Sequence, residues 1–217
     1  MLKVALMNEF SQASKNALIL RALENSARKY GVECYNTGMK SDMDCPALNY
    51  MHLGIQAFIL LNSGAVDFVV TGCGSGQGAC MSLNSFPGVF CAYVADPSDA
   101  FLFTQINNGN AAALPFAKDF GWAAELKLED IFDKIFGSEW GKGYPAKMRD
   151  IQQANSRLFG KVKTQICRPP VEILQTLDSR MVRDAIANSG FRECFTAHAG
   201  NSELASYVLG LLDEQAC

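Results

Sequence analysis

Val66-Asp-Phe-Val-Val-Thr-Gly-Cys-Gly-Ser-Gly-Gln-Gly-Ala-Cys-Met-Ser-Leu-Asn84 is the stretch on which the reading of the whole chain rests. Its first part, Val66 to Thr71, is short, β-branched and without polar alternation, the pattern of a strand buried on both faces of a parallel sheet. Glycines follow at every second position, Gly72, Gly74, Gly76 and Gly78. Lacking Cβ atoms, they allow positive φ and close approach of a ligand, and their N–H groups gather at the start of the helix that follows. Such a turn binds an anion or a developing oxyanion. Cys73 and Ser75 sit inside it, a base or nucleophile beside a hydroxyl.

Outward from this turn, the 217-residue chain is long enough for one well-buried domain with room for a small second unit. Its formal charge of -3, with both signs mixed along the chain, leaves no electrostatic footprint for nucleic acid or an anionic membrane. Met1 to Met7 runs directly into a strand-like pattern without a signal-peptide layout, and no apolar run is long enough to span a bilayer. The expected location is therefore cytoplasmic. The cysteines, Cys34, Cys45, Cys73, Cys80, Cys91, Cys167, Cys194 and Cys217, show neither a CxxC pair nor zinc spacing, so most read as small buried residues of a reducing compartment. Cys80 and Cys91 suit that reading on apolar faces, and Cys217 reads as an idle terminal thiol. Cys73 suits it poorly, because a glycine turn offers little apolar surface.

Strands and helices alternate. Leu2 to Met7, Val32 to Tyr35, Val66 to Thr71, Val89 to Ala95 and Ala111 to Leu114 read as strands. Helices are predicted from Ser11 or Ser14 to Gly31, over Ala47 to Leu61, after the glycine turn, from Pro97 through Ile106, and over Trp122 to Phe136 and Ala146 to Phe159. The alternation implies an α/β fold, a Rossmann-like doubly wound parallel five-stranded sheet in three αβα layers. Ligands bind beyond the C-terminal ends of such strands. That edge is expected to collect Asn8, Glu9, Cys73, Ser75, Asp96, Asn107 and Asn110. From Gly160 the texture changes: Lys161 to Pro170 reads as a linker and Val171 to Cys217 as a helical appendage. The expected organisation is a Rossmann-like domain over residues 1–159 and a helical extension over 160–217.

Gly74-Ser-Gly-Gln-Gly-Ala79 also fits a dinucleotide fingerprint, with Asp96 about 20 residues on. It sits in the third βα unit, and a pyrophosphate site needs neither the cysteine nor the serine. Proton chemistry ranks above NAD binding.

Val66-Asp67, Cys73-Gly-Ser-Gly-Gln-Gly78, Asn84, Gly88, Asp96-Pro97, Ala100, Asn107 and Asn110 resemble the ribose 5-phosphate isomerase B and galactose 6-phosphate isomerase family. The resemblance runs without gaps from about Tyr50 to Asn110 and more loosely from Met1 to about Ile151; the tail after Gly160 lies outside it. It implies interconversion of aldose and ketose phosphates without metal or other cofactor, by a homodimer or homotetramer with active sites between subunits. By position, Cys73 matches the base that moves a proton between C1 and C2 through a cis-enediolate. A thiolate among the N–H groups of a helix N-terminus is favoured electrostatically. Those N–H groups, Gly74 to Gly78 with Gly76 and Gln77 between, would hold the enediolate oxygen. Ser75 matches the hydroxyl that passes a proton to that oxygen, Asn107 the amide that holds substrate oxygens with Asn110 supporting it, and Tyr50 a site tyrosine. Glu9 stands where the family has an aspartate that bonds sugar hydroxyls.

Two departures bear on the substrate. Phe10 and Ile106 replace family histidines, and neither side chain can move the proton that opens a furanose. The substrate is then open-chain, such as a tetrulose phosphate, or His52 takes over, or ribose 5-phosphate is no longer isomerised. The family's phosphate-gripping arginines are displaced too, leaving Lys118, Lys147 and Arg149 near their places. The expected activity is aldose-ketose isomerisation of a small sugar phosphate, with a non-catalytic sugar-phosphate-binding protein and an NAD-dependent oxidoreductase as alternatives.

Overall fold

The computed structural model describes residues 1–215, so Cys217 lies outside them. Five parallel strands, β1 (Leu2–Asn8), β2 (Val32–Asn36), β3 (Phe68–Cys73), β4 (Cys91–Tyr93) and β5 (Ala111–Pro115), lie in the order β2-β1-β3-β5-β4. Alternate residues of each strand feed opposite layers. Val4, Leu6, Phe68, Val70 and Leu114 face α1 (Asn16–Tyr30) and α5 (Ala124–Phe136), where Ile19, Leu23, Leu128 and Phe132 are buried. Ala5, Met7, Val69 and Ala111 face α2 (Tyr50–Asn62) and α3 (Gln77–Asn84) through Leu53, Phe58 and Leu83. The expected three-layer parallel fold is therefore the observed one.

The predicted helix from Pro97 through Ile106 divides into α4 (Pro97–Leu102) and a wider π turn over Phe103–Asn107, closed by Asn108 at φ 50°. Asp96 caps α4, its carboxylate accepting from the N–H of Ser98 at 2.8 Å and of Asp99 at 3.0 Å.

The expected linker is not one. Gly160 and Lys161 lie inside α6 (Arg149–Ile166), because the residues around them are good helix formers and a single glycine costs only about 1 kcal/mol. The chain breaks later, at Cys167, before Pro169 and Pro170. The tail is helical, as expected, and packs on the sheet domain. From α7 (Pro170–Thr176), α8 (Ser179–Ile186), α9 (Ser189–His198) and α10 (Glu203–Glu214), the buried side chains Leu174, Ile186, Phe191, Phe195 and Val208 join the core that holds α2. Gln56 on α2 donates to the carbonyls of Ala185, at 2.6 Å, and Thr37, at 3.2 Å. Among the described residues no helix is long and apolar enough to cross a membrane.

Gln56→Ala removes the side-chain donor to the Ala185 carbonyl and one of the two side-chain donors to that of Thr37, so it is expected to lower the unfolding free energy by about 1–3 kcal/mol. The check is a shifted urea midpoint with an unchanged slope.

Candidate active site

β1 and β3 are neighbours whose following helices lie on opposite faces of the sheet, which opens a crevice between their C-terminal ends. Asn8 pairs with Gly72 across it, placing Glu9 and Cys73 on its two rims. Cys73 is 8% exposed. It finds its apolar support on Ala79 of α3 and Ala113 of β5.

The glycines are held by their surroundings. A Cβ on Gly72 would lie 2.3 Å from the carbonyl oxygen of Leu114. Gly76, the N-cap of α3, has φ 77°, and a Cβ there would meet the backbone of Leu114 and Pro115 and the ring of Tyr93 at 2.8–2.9 Å. Strand β5 therefore packs so closely on the turn that only glycine fits at Gly72 and Gly76. Ser75 is exposed, its hydroxyl accepting from the N–H of Gln77 at 3.4 Å. The carbonyl of Gly74 accepts from the N–H of Ala117 at 2.9 Å and of Lys118 at 3.0 Å, so the Lys118 backbone borders the turn.

Tyr50 opens α2, and its ring lies 3.4–3.5 Å from where a Cβ on Gly78 would be, walling the crevice. His52 does not serve the crevice. Its Nδ1 accepts from the Asn49 N–H at 3.0 Å while the Asn49 side chain accepts from the N–H of Met51 and His52, a reciprocal cap. Burial lowers the His52 pKa, opposed by Asp184 of α8. The neutral ring is committed to the helix end.

Asn107 and Asn110 are not on the Cys73 edge, contrary to the expectation from sequence. Ala111 pairs with Val69 and Pro115 with Cys73. Asn110 thus lies at the N-terminal ends of the strands, roughly 13 Å or more along β5 from the catalytic edge at about 3.3 Å per residue. The π turn had returned the chain to that side. Asn110 is a brace: its Oδ1 accepts from the Phe90 N–H at 2.8 Å and its Nδ2 donates to the Gly88 carbonyl at 2.7 Å. Asn107 is exposed in an 810 Å³ groove, with Ile106, Gln153, Ser156 and Arg157. Arg149, exposed at the start of α6, adjoins Gly143, whose N–H bonds the Gln105 carbonyl in this same region, and Lys147 is exposed in the 3-10 turn just before that helix.

Cys80 was passed over as a packing residue. It shares a small cluster with Cys73 and Cys91, and a hydrogen bond with Cys91, aided by Asn84, draws its pKa down to about 7 against the effect of burial. No sequence pattern distinguishes it, because the effect comes from β4 lying beside α3. Among the described residues no cluster of His, Cys, Asp and Glu could hold a metal ion.

A parallel α/β sheet with a thiol at the head of an anion-binding turn, at the switch point, defines an enzyme of small polar substrates. Residues 4–133 match the family model described as Ribose/Galactose Isomerase, and residues 166–211 match a second described as Ribose-5-phosphate isomerase. The chain belongs to the ribose/galactose isomerase family, and it is an isomerase of the aldose-ketose type. The tail, which the sequence left outside the resemblance, thus has a family match of its own.

Two solved structures are similar over nearly the whole chain. A ribose-5-phosphate isomerase from Vibrio parahaemolyticus is 51% identical, with TM-score 0.94 over 97% of this chain and 99% of that one. A 4-deoxy-L-threo-5-hexosulose-uronate ketol-isomerase, solved with a tartrate, is 44% identical, with TM-score 0.95 over 98% and 100%. The type B ribose 5-phosphate isomerase of Trypanosoma brucei, 19% identical with TM-score 0.62 over 75% of this chain and 99% of that one, shares the fold. No curated protein matches the chain.

Alkylation of Cys80 by iodoacetamide is expected to accelerate as pH rises through about 7. Peptide mass spectrometry reads it residue by residue, and Cys91→Ala should move the onset upward toward the ordinary thiol range.

Proposed function

We propose that this chain interconverts an open-chain aldose and ketose carrying a terminal phosphate or carboxylate, through a cis-enediolate, with Cys73 as the base. The observation that carries this reading is the placement of Cys73 at the end of β3, at the head of the glycine turn that opens α3. Cys73 removes the proton from the carbon beside the carbonyl. The N–H groups of Gly74 to Gly78 receive the charge that develops on the carbonyl oxygen, and one such donor is worth about 10²–10³ in rate. Glu9, Tyr50 and Gln77 line the substrate's hydroxyls, with Ser75 beside the reacting oxygen.

The open-chain preference is supported by Phe10 and Ile106, apolar where a ring opener would be needed, and by His52, whose ring nitrogen caps a helix. A carboxylate terminus is supported by the uronate and tartrate named for one similar structure, and a phosphate terminus by the name of the other. Lys118, whose backbone N–H bonds the Gly74 carbonyl of the turn, would supply the positive charge for either anion.

Asn107 reaches a Cys73 crevice from a second copy. Support comes from α6, which leaves Ile151, Leu158, Phe159 and Ile166 more than half exposed beside the Asn107 groove. An exposed apolar row of this kind is what a symmetric interface buries. Asn107, Arg149 and Lys147 then complete the site of the partner subunit, with Asn110 bracing the loop. The described cysteines are all free, which supports a reducing compartment, the cytoplasm.

Proton exchange in deuterated water, followed by NMR, tests the chemistry on ribose 5-phosphate, erythrose 4-phosphate and 4-deoxy-L-threo-5-hexosulose-uronate. Deuterium is expected to enter the carbon next to the carbonyl of an open-chain substrate, and Cys73→Ala is expected to reduce the rate by at least about 10³. Exchange that survives in Cys73→Ala removes the thiol from the mechanism.

Subunit mixing tests the assembly. Cys73→Ala and Asn107→Ala, each inactive alone, should recover about a quarter of the wild-type activity when co-refolded, since half the random dimers carry one intact site. No recovery refutes the shared site.

A further inference from the structure

Glu9 is the one carboxylate among the buried described residues, 2% exposed, and among those residues no Lys, Arg or His lies within ion-pair distance of it. Instead it ends a chain of hydrogen bonds that starts at Lys15. Lys15 Nζ donates to Gln12 Oε1 at 2.8 Å and to the Phe116 carbonyl. Gln12 Nε2 donates to Ser11 Oγ at 2.9 Å, and Ser11 Oγ donates to Glu9 Oε1.

The direction of this chain is fixed by chemistry. An ammonium has no acceptor, so Gln12 must present its oxygen to Lys15 and therefore its NH₂ to Ser11. Ser11 then has only its proton to offer Glu9, and Oε1 is an acceptor. Each donor is polarised by the one behind it, beginning at a full positive charge. Among the described residues Oε2 has no protein partner. The chain also borders the turn: Gln12 Nε2 lies 3.7 Å from where a Cβ on Gly74 would be.

Aldose-ketose isomerisation moves two protons, one between carbons and one between oxygens. Ser75 is a poor carrier of the second, since a hydroxyl far from neutrality in pKa gives up or takes a whole proton with difficulty. A carboxylate is far better matched.

We propose that Glu9 is the acid-base group that carries the hydroxyl proton between the two substrate oxygens, aligned by the one-way chain Lys15–Gln12–Ser11. This deepens the isomerase reading and rests on it. Cys73 takes the carbon-bound proton and the electron pair moves to the carbonyl oxygen, forming the enediolate. Glu9 Oε2 accepts the proton of the neighbouring hydroxyl and delivers it to the former carbonyl oxygen. As the new carbonyl forms, Cys73 returns its proton to the other carbon. Atoms and charge balance with no outside oxidant or reductant.

The test separates the two protons. In Glu9→Gln, with the substrate of the panel above that the wild type turns over, product formation is expected to fall by about 10²–10⁴. Deuterium entry at the carbon beside the substrate carbonyl should stay within a few-fold of wild type. The ratio of exchange to turnover therefore rises by about two orders of magnitude or more. Lys15→Met, remote from the substrate, should lower kcat with KM unchanged and raise the same ratio, and Glu9→Asp should recover part of the turnover lost in Glu9→Gln. Equal melting temperatures establish that the variants are folded. Exchange and turnover falling in parallel in both Glu9→Gln and Lys15→Met, or turnover unchanged in both, overturns the proposal. Absence of exchange in the wild type refutes the isomerase reading itself, a distinct outcome.

Discussion

The structure depends on the close approach of β5 to the turn that ends β3. Side chains are excluded at Gly72 and Gly76 because Leu114, Pro115 and the Tyr93 ring already occupy the space. That contact forces the left-handed conformation at Gly76, starts α3 where it starts, and fixes Cys73 at its head. The Cys73 thiol is thus held on the centre of the sheet, at the head of a turn whose shape is set by backbone contact.

The sheet order has a second consequence. The helices after β1 and β3 leave to opposite faces of the sheet, so Glu9 and Cys73 border one crevice, while β5 begins at the opposite edge. One chain therefore separates two groups of polar side chains that the family resemblance joins in one site. An amphipathic helix with an uncovered apolar row, α6, lies beside the second group. The topology thus leaves the second group facing outward, away from the Cys73 crevice.

The C-terminal helices belong to this economy. They close over α2, burying Phe191, Phe195 and Val208 against it and using Gln56 and Asn188 to satisfy the Thr37 carbonyl. The start of α2, with Tyr50 against Gly78, is thereby backed by a solid layer. His52, which looked free to act on a sugar, is spent on the same helix end.

The sequence by itself determined what is local. The β-branched run from Val66, the alternating glycines, the Asp96-Pro97 cap and the spacing of strands and helices specified five parallel strands, three layers and the place of Cys73 at the C-terminal edge of the sheet. Hydrophobic periodicity and glycine chemistry act over a few residues, so they are legible there. Only the tertiary structure decided which edge a loop reaches, what a partner atom is, and which cysteines meet. Asn107 and Asn110 moved to the far edge because β5 pairs in register with β3. Gly160 joined a helix instead of a linker. Cys80 gained its acidity from Cys91, and Glu9 its hydrogen-bond chain from Lys15, through contacts made by folding, because electrostatic and hydrogen-bonding environment is a property of neighbours in space.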